Sequence, residues 1–141
     1  MERPCDPGLV DAEVVIVGGG FAGLYAAKAL GKAPVHVTVI DKRNFHLFQP
    51  LLYQVATAGL TAPAISGPIR HILRREMRSG RLTILQAAVT DIDAAARLVR
   101  RDDGSTLGYD HLIVAAGATH SYFGHDDWAA HAHGLKTLAD A

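Results

Sequence analysis

Gly18, Gly20 and Gly23 stand in the stretch VVIVGGGFAGLYAAKAL, residues 14–30, with the spacing G-x-G-x-x-G. Between a strand and a helix, that spacing gives a turn free to adopt φ > 0. It also leaves bare backbone that another group can approach, and a third glycine where the helix lies close to the strand. The N–H groups and dipole at the helix start then face whatever sits above the turn, which suits a pyrophosphate. A tight turn with no ligand explains the same glycines when they stand alone. A second group of a different type is Asp41, 23 positions after Gly18. A carboxylate at the end of the next strand is placed to accept hydrogen bonds from a ribose diol. It would repel a 2′-phosphate, which disfavours NADP, although Lys42 and Arg43 beside it temper the repulsion.

These groups need elements to position them. Val14-Val15-Ile16-Val17 are four consecutive β-branched residues, the pattern of a strand buried on both faces. Residues 21–31 place Phe21, Leu24, Tyr25, Ala27 and Leu30 among alanines at helical spacing. Val37 to Ile40 is a second buried strand, and Leu82 to Leu85 a third. Residues 45–60, FHLFQPLLYQVATAGL, keep no clean period, and Pro50 excludes a central strand or an uninterrupted helix, so a core-filling loop is expected. Ser66-Gly67-Pro68 reads as a helix start, followed by Ile69, Ile72, Leu73 and Met77 on one face and arginines largely off it. Val89 to Ile92, Ala96 to Arg100 and Thr106 to His111 read as a small antiparallel meander, with Asp103-Gly104 at a hairpin. Leu112 to Gly117 returns to the buried-strand pattern and stops at a glycine, where small residues let something flat approach. The fold class expected is α/β: a Rossmann-like parallel sheet with an inserted antiparallel β-meander, over residues 13–141 behind a flexible tail, 1–12.

Composition narrows the function classes. The 141 residues support one domain, and 14 basic against 14 acidic side chains give no electrostatic case for nucleic acid. Cys5 is the single cysteine, so no disulfide framework forms within one chain. The N-terminus lacks the apolar stretch of a signal peptide, and no run reaches the ~18 apolar residues of a membrane span. A cytoplasmic chain is expected. Eight histidines invite a metal, but His125, Asp126, Asp127, His131 and His133 lack a recognised ligand spacing and read as a solvated loop.

The glycine motif, the meander and the strand LIVAAGA resemble the flavoprotein disulfide-reductase superfamily, whose first dinucleotide site holds FAD. Within it, NFHLFQPLLYQVATAGL at 44–60 resembles the type II NADH dehydrogenases, single-subunit NADH:quinone oxidoreductases that pump no protons. The resemblance implies that Gly18, Gly19, Gly20 and Gly23 cradle the FAD pyrophosphate, with Phe21 and Ala22 opening the helix beside it. It implies Asp41 at the adenosine ribose with Lys42 next to it, and Val89 where backbone packs on adenine. Gln49, Pro50 and Leu51 would run near the isoalloxazine, and Ala116 and Gly117 would pass the cofactor at a strand end. His46 is expected to be a packed polar residue, with a place facing the flavin as the alternative.

The resemblance also implies what is missing. A second G-x-G-x-x-G for NADH does not occur between Gly23 and Ala141. A returning C-terminal stretch and membrane-anchoring helices would lie elsewhere, so the FAD/NAD(P)-binding domain would be incomplete and the 141 residues alone inactive. Quinone and NADH would be partners of the full-length protein, peripheral on the inner face of the membrane. Apolar surface around 45–60 and 112–118 would favour a homo-oligomer. Leu135 to Ala141 reads as a helix opening at Thr137. No cysteine follows the second strand, which excludes flavin–dithiol exchange within the chain. A non-catalytic nucleotide-binding fragment, or another flavoprotein of the superfamily, is the alternative.

Overall fold

A computed structural model describes residues 12–141; residues 1–11 of the expected tail, with Cys5, lie outside the described residues, and Ala12 already belongs to the first strand. Four strands form a parallel sheet: β1 (Ala12–Val17), β2 (Val35–Asp41), β5 (Leu82–Gln86) and β9 (His111–Val114), in the order β5-β2-β1-β9. Helix α1 (Phe21–Leu30) connects β1 to β2. The chain steps outward from β1 through β2 to β5, then returns to the other side of β1 as β9. A crevice therefore opens at the carboxyl ends of β1 and β9, where the winding reverses.

The unbroken β-branched run in β1 follows from its position between two cores. Val14 and Ile16 face α1 residues Leu24 and Ala27, together with Ile69 and Leu73. Val15 and Val17 face the opposite side, packed with Ile40 and Val99. Val99 belongs to an antiparallel sheet of β6 (Val89–Asp93), β7 (Leu98–Arg101) and β8 (Thr106–Gly108), which covers that face. The expected meander is thus present, and its second hairpin turns at Gly104, with φ +80°.

Several boundaries depart from the sequence reading. β7 starts at Leu98 rather than Ala96 because Arg97 holds a left-handed turn at φ +53°. β8 ends at Gly108, where the Tyr109 N–H donates to the Arg97 carbonyl. β9 ends at Val114, after which the Ala115 N–H makes a last bond to Val17.

Residues 45–60 are more ordered than a loop and fill less of the core. They form β3 (Phe45–Leu47), a 3-10 turn over Gln49–Leu51 and helix α2 (Leu52–Ala56), and Leu52 is the buried residue of the last two. Ser66–Pro68 forms β4, antiparallel to β3, and the expected helix does start directly after it, with Pro68 as its N-cap. Helix α3 is one turn, Ile69–Ile72, followed by a 3-10 turn at Glu76–Ser79. A continuous helix would stack Arg70, Arg74 and Arg78 at four-residue spacing, a like-charge repulsion that Glu76, at neither three- nor four-residue spacing from any of them, does not offset. The apolar face still forms, since Ile69 and Leu73 are buried and Ile72 and Met77 pack beside them. At the C-terminus, residues 138–140 make a turn rather than a helix. It keeps half of a capping box: the Asp140 carboxylate accepts from the Lys136 and Thr137 N–H groups at 2.9 and 2.7 Å.

Candidate functional site

The three motif glycines serve different ends. Gly18 has φ +107°, and a Cβ there would lie 2.3 Å from the Ala115 carbonyl oxygen. A Cβ on Gly23 would lie 1.8 Å from the Gly18 carbonyl oxygen. Both positions are closed by backbone that cannot move aside, so the fold itself demands glycine. Gly20 differs. Its φ of −74° and ψ of −162° suit any residue, and a Cβ would meet nothing within 4 Å. The fold gives no reason for a bare Cα there; a ligand approaching the backbone does.

The hydrogen bonds of the turn separate occupied from open donors. The Gly18 N–H donates to the Ile40 carbonyl at 2.8 Å, and the Gly19 N–H to the Asp41 carboxylate at 2.5 Å. Among the described residues, the N–H groups of Gly20, Phe21 and Ala22 find no acceptor, as expected of a helix start without a side-chain cap. They open onto a cavity of about 800 Å³, within the range of small-molecule sites. Asp41 stands on its wall. One carboxylate oxygen is held by Gly19 and the other accepts from the Arg43 N–H at 2.7 Å. An ionised carboxylate has about four acceptor sites, so two such bonds orient it and leave capacity for a diol.

Of the residues singled out from sequence, Gly18, Gly19, Gly20, Phe21, Ala22, Asp41, Lys42, Gln49, Ala116 and Gly117 line this one cavity. Gly23 lies behind it, buried beneath the turn. Pro50 and Leu51 are in the neighbouring 3-10 turn and Val89 is in β6, packed against the meander-side core; none of the three lines the cavity. Sequence reasoning missed Arg43, Lys136 and Thr137 as wall residues. Arg43 had a local signal, since Asp41 followed two residues later by an N–H donor is an Asx-turn pattern. Lys136 had none: it reaches Gln49, 87 positions away, with its ammonium 3.3 Å from the amide oxygen. Lys42, Arg43 and Lys136 against Asp41 leave the wall net positive, which favours an anionic ligand. His125 stacks on Trp128 rather than joining a cluster, and no group of three metal-ligating side chains forms among the described residues.

A family model described as pyridine nucleotide-disulphide oxidoreductase matches residues 12–141. The chain belongs to that family. It is 50% identical over 131 residues to the type II NADH:quinone oxidoreductase NdhA of Mycobacterium tuberculosis, covering 91% of this chain and 27% of that protein. The external NADH-ubiquinone oxidoreductase 2 of Saccharomyces cerevisiae mitochondria is 32% identical, over 95% of this chain and 26% of its own length. Among solved structures, NDH2 of Plasmodium falciparum in complex with NADH superposes with a TM-score of 0.81 at 26% identity, covering 93% of this chain and 27% of that one. The resemblance to type II NADH dehydrogenases is therefore borne out, and so is the α/β class with its parallel sheet. The chain spans about a quarter of the length of these family members. No helix among the described residues is long and apolar enough to cross a membrane.

Proposed function

We propose that the cavity holds FAD and that this chain is the FAD-binding part of an oxidoreductase passing electrons from NADH to a quinone. Gly20 carries the reading: a glycine the fold does not require, with unpaired N–H groups beside it, facing a cavity with a carboxylate on its wall. The Gly20, Phe21 and Ala22 N–H groups would take the pyrophosphate, helped by the helix dipole and the surrounding cations. Asp41 would accept from the adenosine ribose, with Lys42 beside it. Gln49, with Ala116 and Gly117, would border the flavin ring, and the 3-10 turn carrying Pro50 and Leu51 would support Gln49 from behind. When bound, FAD supplies a hydride acceptor that can hand its electrons on to quinone, and the chain's own residues bind and orient it.

The relatives' names support the NADH and quinone roles; work at the membrane surface, peripheral and on its inner side, is part of the proposal. The 141 residues contain a single G-x-G-x-x-G, so NADH would be anchored by residues other than these. Among the described residues β9 pairs on one side only, with β1, and its other edge would be covered by further chain or by a second copy. A parallel titration with FAD and FMN tests the cofactor assignment. FAD is expected to bind in preference, because FMN lacks the adenosine that Asp41 would recognise. Equal curves would refute it.

A further inference from the structure

The glycine turn has one peptide whose orientation the strand and helix do not set. The Gly18–Gly19 peptide is fixed by the bond from its N–H to Asp41, and the Gly20–Phe21 peptide by the Leu24 N–H, which donates to the Gly20 carbonyl at 3.0 Å. Between them lies the Gly19–Gly20 peptide, flanked by two glycines and free to rotate as few others are. His46 reaches it. His46 is the central residue of β3, paired across the ladder with Gly67, and its Nδ1 lies 3.2 Å from the Gly19 carbonyl oxygen. A carbonyl accepts only, so Nδ1 carries the hydrogen and donates it. The ring is held edge-on against Phe21, at 4.8 Å between centroids and 89° between planes, and Phe21 meets Phe48 at 5.5 Å.

We propose that His46 is a positioning residue for the pyrophosphate end of the cavity. By holding the Gly19 carbonyl, it turns the Gly20 N–H in the opposite direction, as a planar trans peptide requires. That direction presents the N–H to the ligand before the ligand arrives, so binding does not have to order it. Neither a packed polar residue nor one facing the flavin describes this role: the bond makes His46 the third strut of the turn, after Ile40 and Asp41. The inference rests on the FAD reading above.

The test compares His46→Asn and His46→Leu in the full chain. Asparagine can place an amide N–H near the Nδ1 position, whereas leucine packs on Phe21 but donates nothing. FAD affinity should fall about tenfold or more in His46→Leu and stay within about threefold of wild type in His46→Asn. A packing role alone gives the reverse order, and leucine binding as well as asparagine would overturn the proposal. Nitrogen-15 spectra of the histidine ring in the unsubstituted chain provide a second readout. The Nδ1–H tautomer is expected, and Nε2–H would overturn the proposal whatever the variants do. A wild-type chain that takes no FAD would bring down the cofactor reading and this role together, whereas normal wild-type binding with the wrong variant order brings down this role alone.

Discussion

Gly20→Val separates the ligand from the fold more cleanly than any other substitution in the motif. At φ −74° and ψ −162°, valine enters an allowed backbone region, and its Cβ meets nothing within 4 Å. Two small terms oppose each other. Replacing glycine restricts the unfolded chain, a gain of about 0.4–1 kcal/mol. Losing glycine at the helix N-cap costs about as much, roughly 0.5–1 kcal/mol. The melting temperature should therefore stay within about 3 °C of wild type. Binding should not survive. The side chain fills the space in front of the open N–H groups, and two hydrogen bonds to a charged phosphate are worth about 1.5–3 kcal/mol each. Affinity for FAD should drop by roughly two to four decades. Gly23→Ala provides the contrast. Its methyl would sit 1.8 Å from the Gly18 carbonyl oxygen, and overpacking against rigid backbone costs about 3 kcal/mol or more, a fall of roughly 10 °C. Differential scanning fluorimetry and a flavin fluorescence titration on both variants decide the matter. Gly20→Val with near-normal FAD affinity would refute the cavity assignment, and a melting temperature as low as that of Gly23→Ala would show Gly20 to be structural after all.

Asp41→Ala should weaken FAD by about one to two decades if the ribose is held there. It should also lower the melting temperature, because it strands the Gly19 and Arg43 N–H groups; an unchanged dissociation constant in the folded variant would remove the ribose role. The Lys136 and Thr137 N–H groups hold the Asp140 carboxyl below its ordinary value. Its contribution to the C-terminal turn is then complete above the ordinary carboxylate range and lost as pH falls through the lowered value. The Thr137 amide resonance should report that titration, and a midpoint at or above the ordinary value would contradict the contact. The 141 residues alone should not oxidise NADH with a soluble quinone above the free-flavin control, since positioning the nicotinamide against the flavin can supply several kcal/mol of the barrier and its anchor is absent here. Quinone-dependent turnover well above that control would place an NADH site within these residues.

What the sequence made legible follows the reach of the interactions involved. β1 and α1 were readable because their signals are local: β-branched residues where both faces are covered, helical spacing directly after the glycines. The same holds for the Asp103-Gly104 hairpin. The segment after Pro68 misled because the apolar face has helical spacing, with Ile69 and Leu73 buried and Met77 packed beside them, yet only one turn of α-helix forms. Periodicity reports which side chains are inside; it does not report whether the backbone between them stays helical when arginines stack on the outer face. In the cavity, Gly18, Gly20 and Asp41 were found through a motif whose spacing is itself the chemistry. Lys136 was not, because its meeting with Gln49 exists only after the chain has passed through the meander and returned along β9. His46 shows a further limit. Nothing in FHL distinguishes a histidine that packs from one that holds a carbonyl 27 positions earlier, and the distinction appears only when β3 pairs with Gly67 beside the turn. The motif glycines were equally silent about their separate duties. Gly18 and Gly23 are closed by backbone, whereas Gly20 is open, so a single consensus joins two positions that the fold requires to one that it leaves free. Mutating the motif as a block would confound them, which is why the Gly20 and Gly23 variants have to be read against each other.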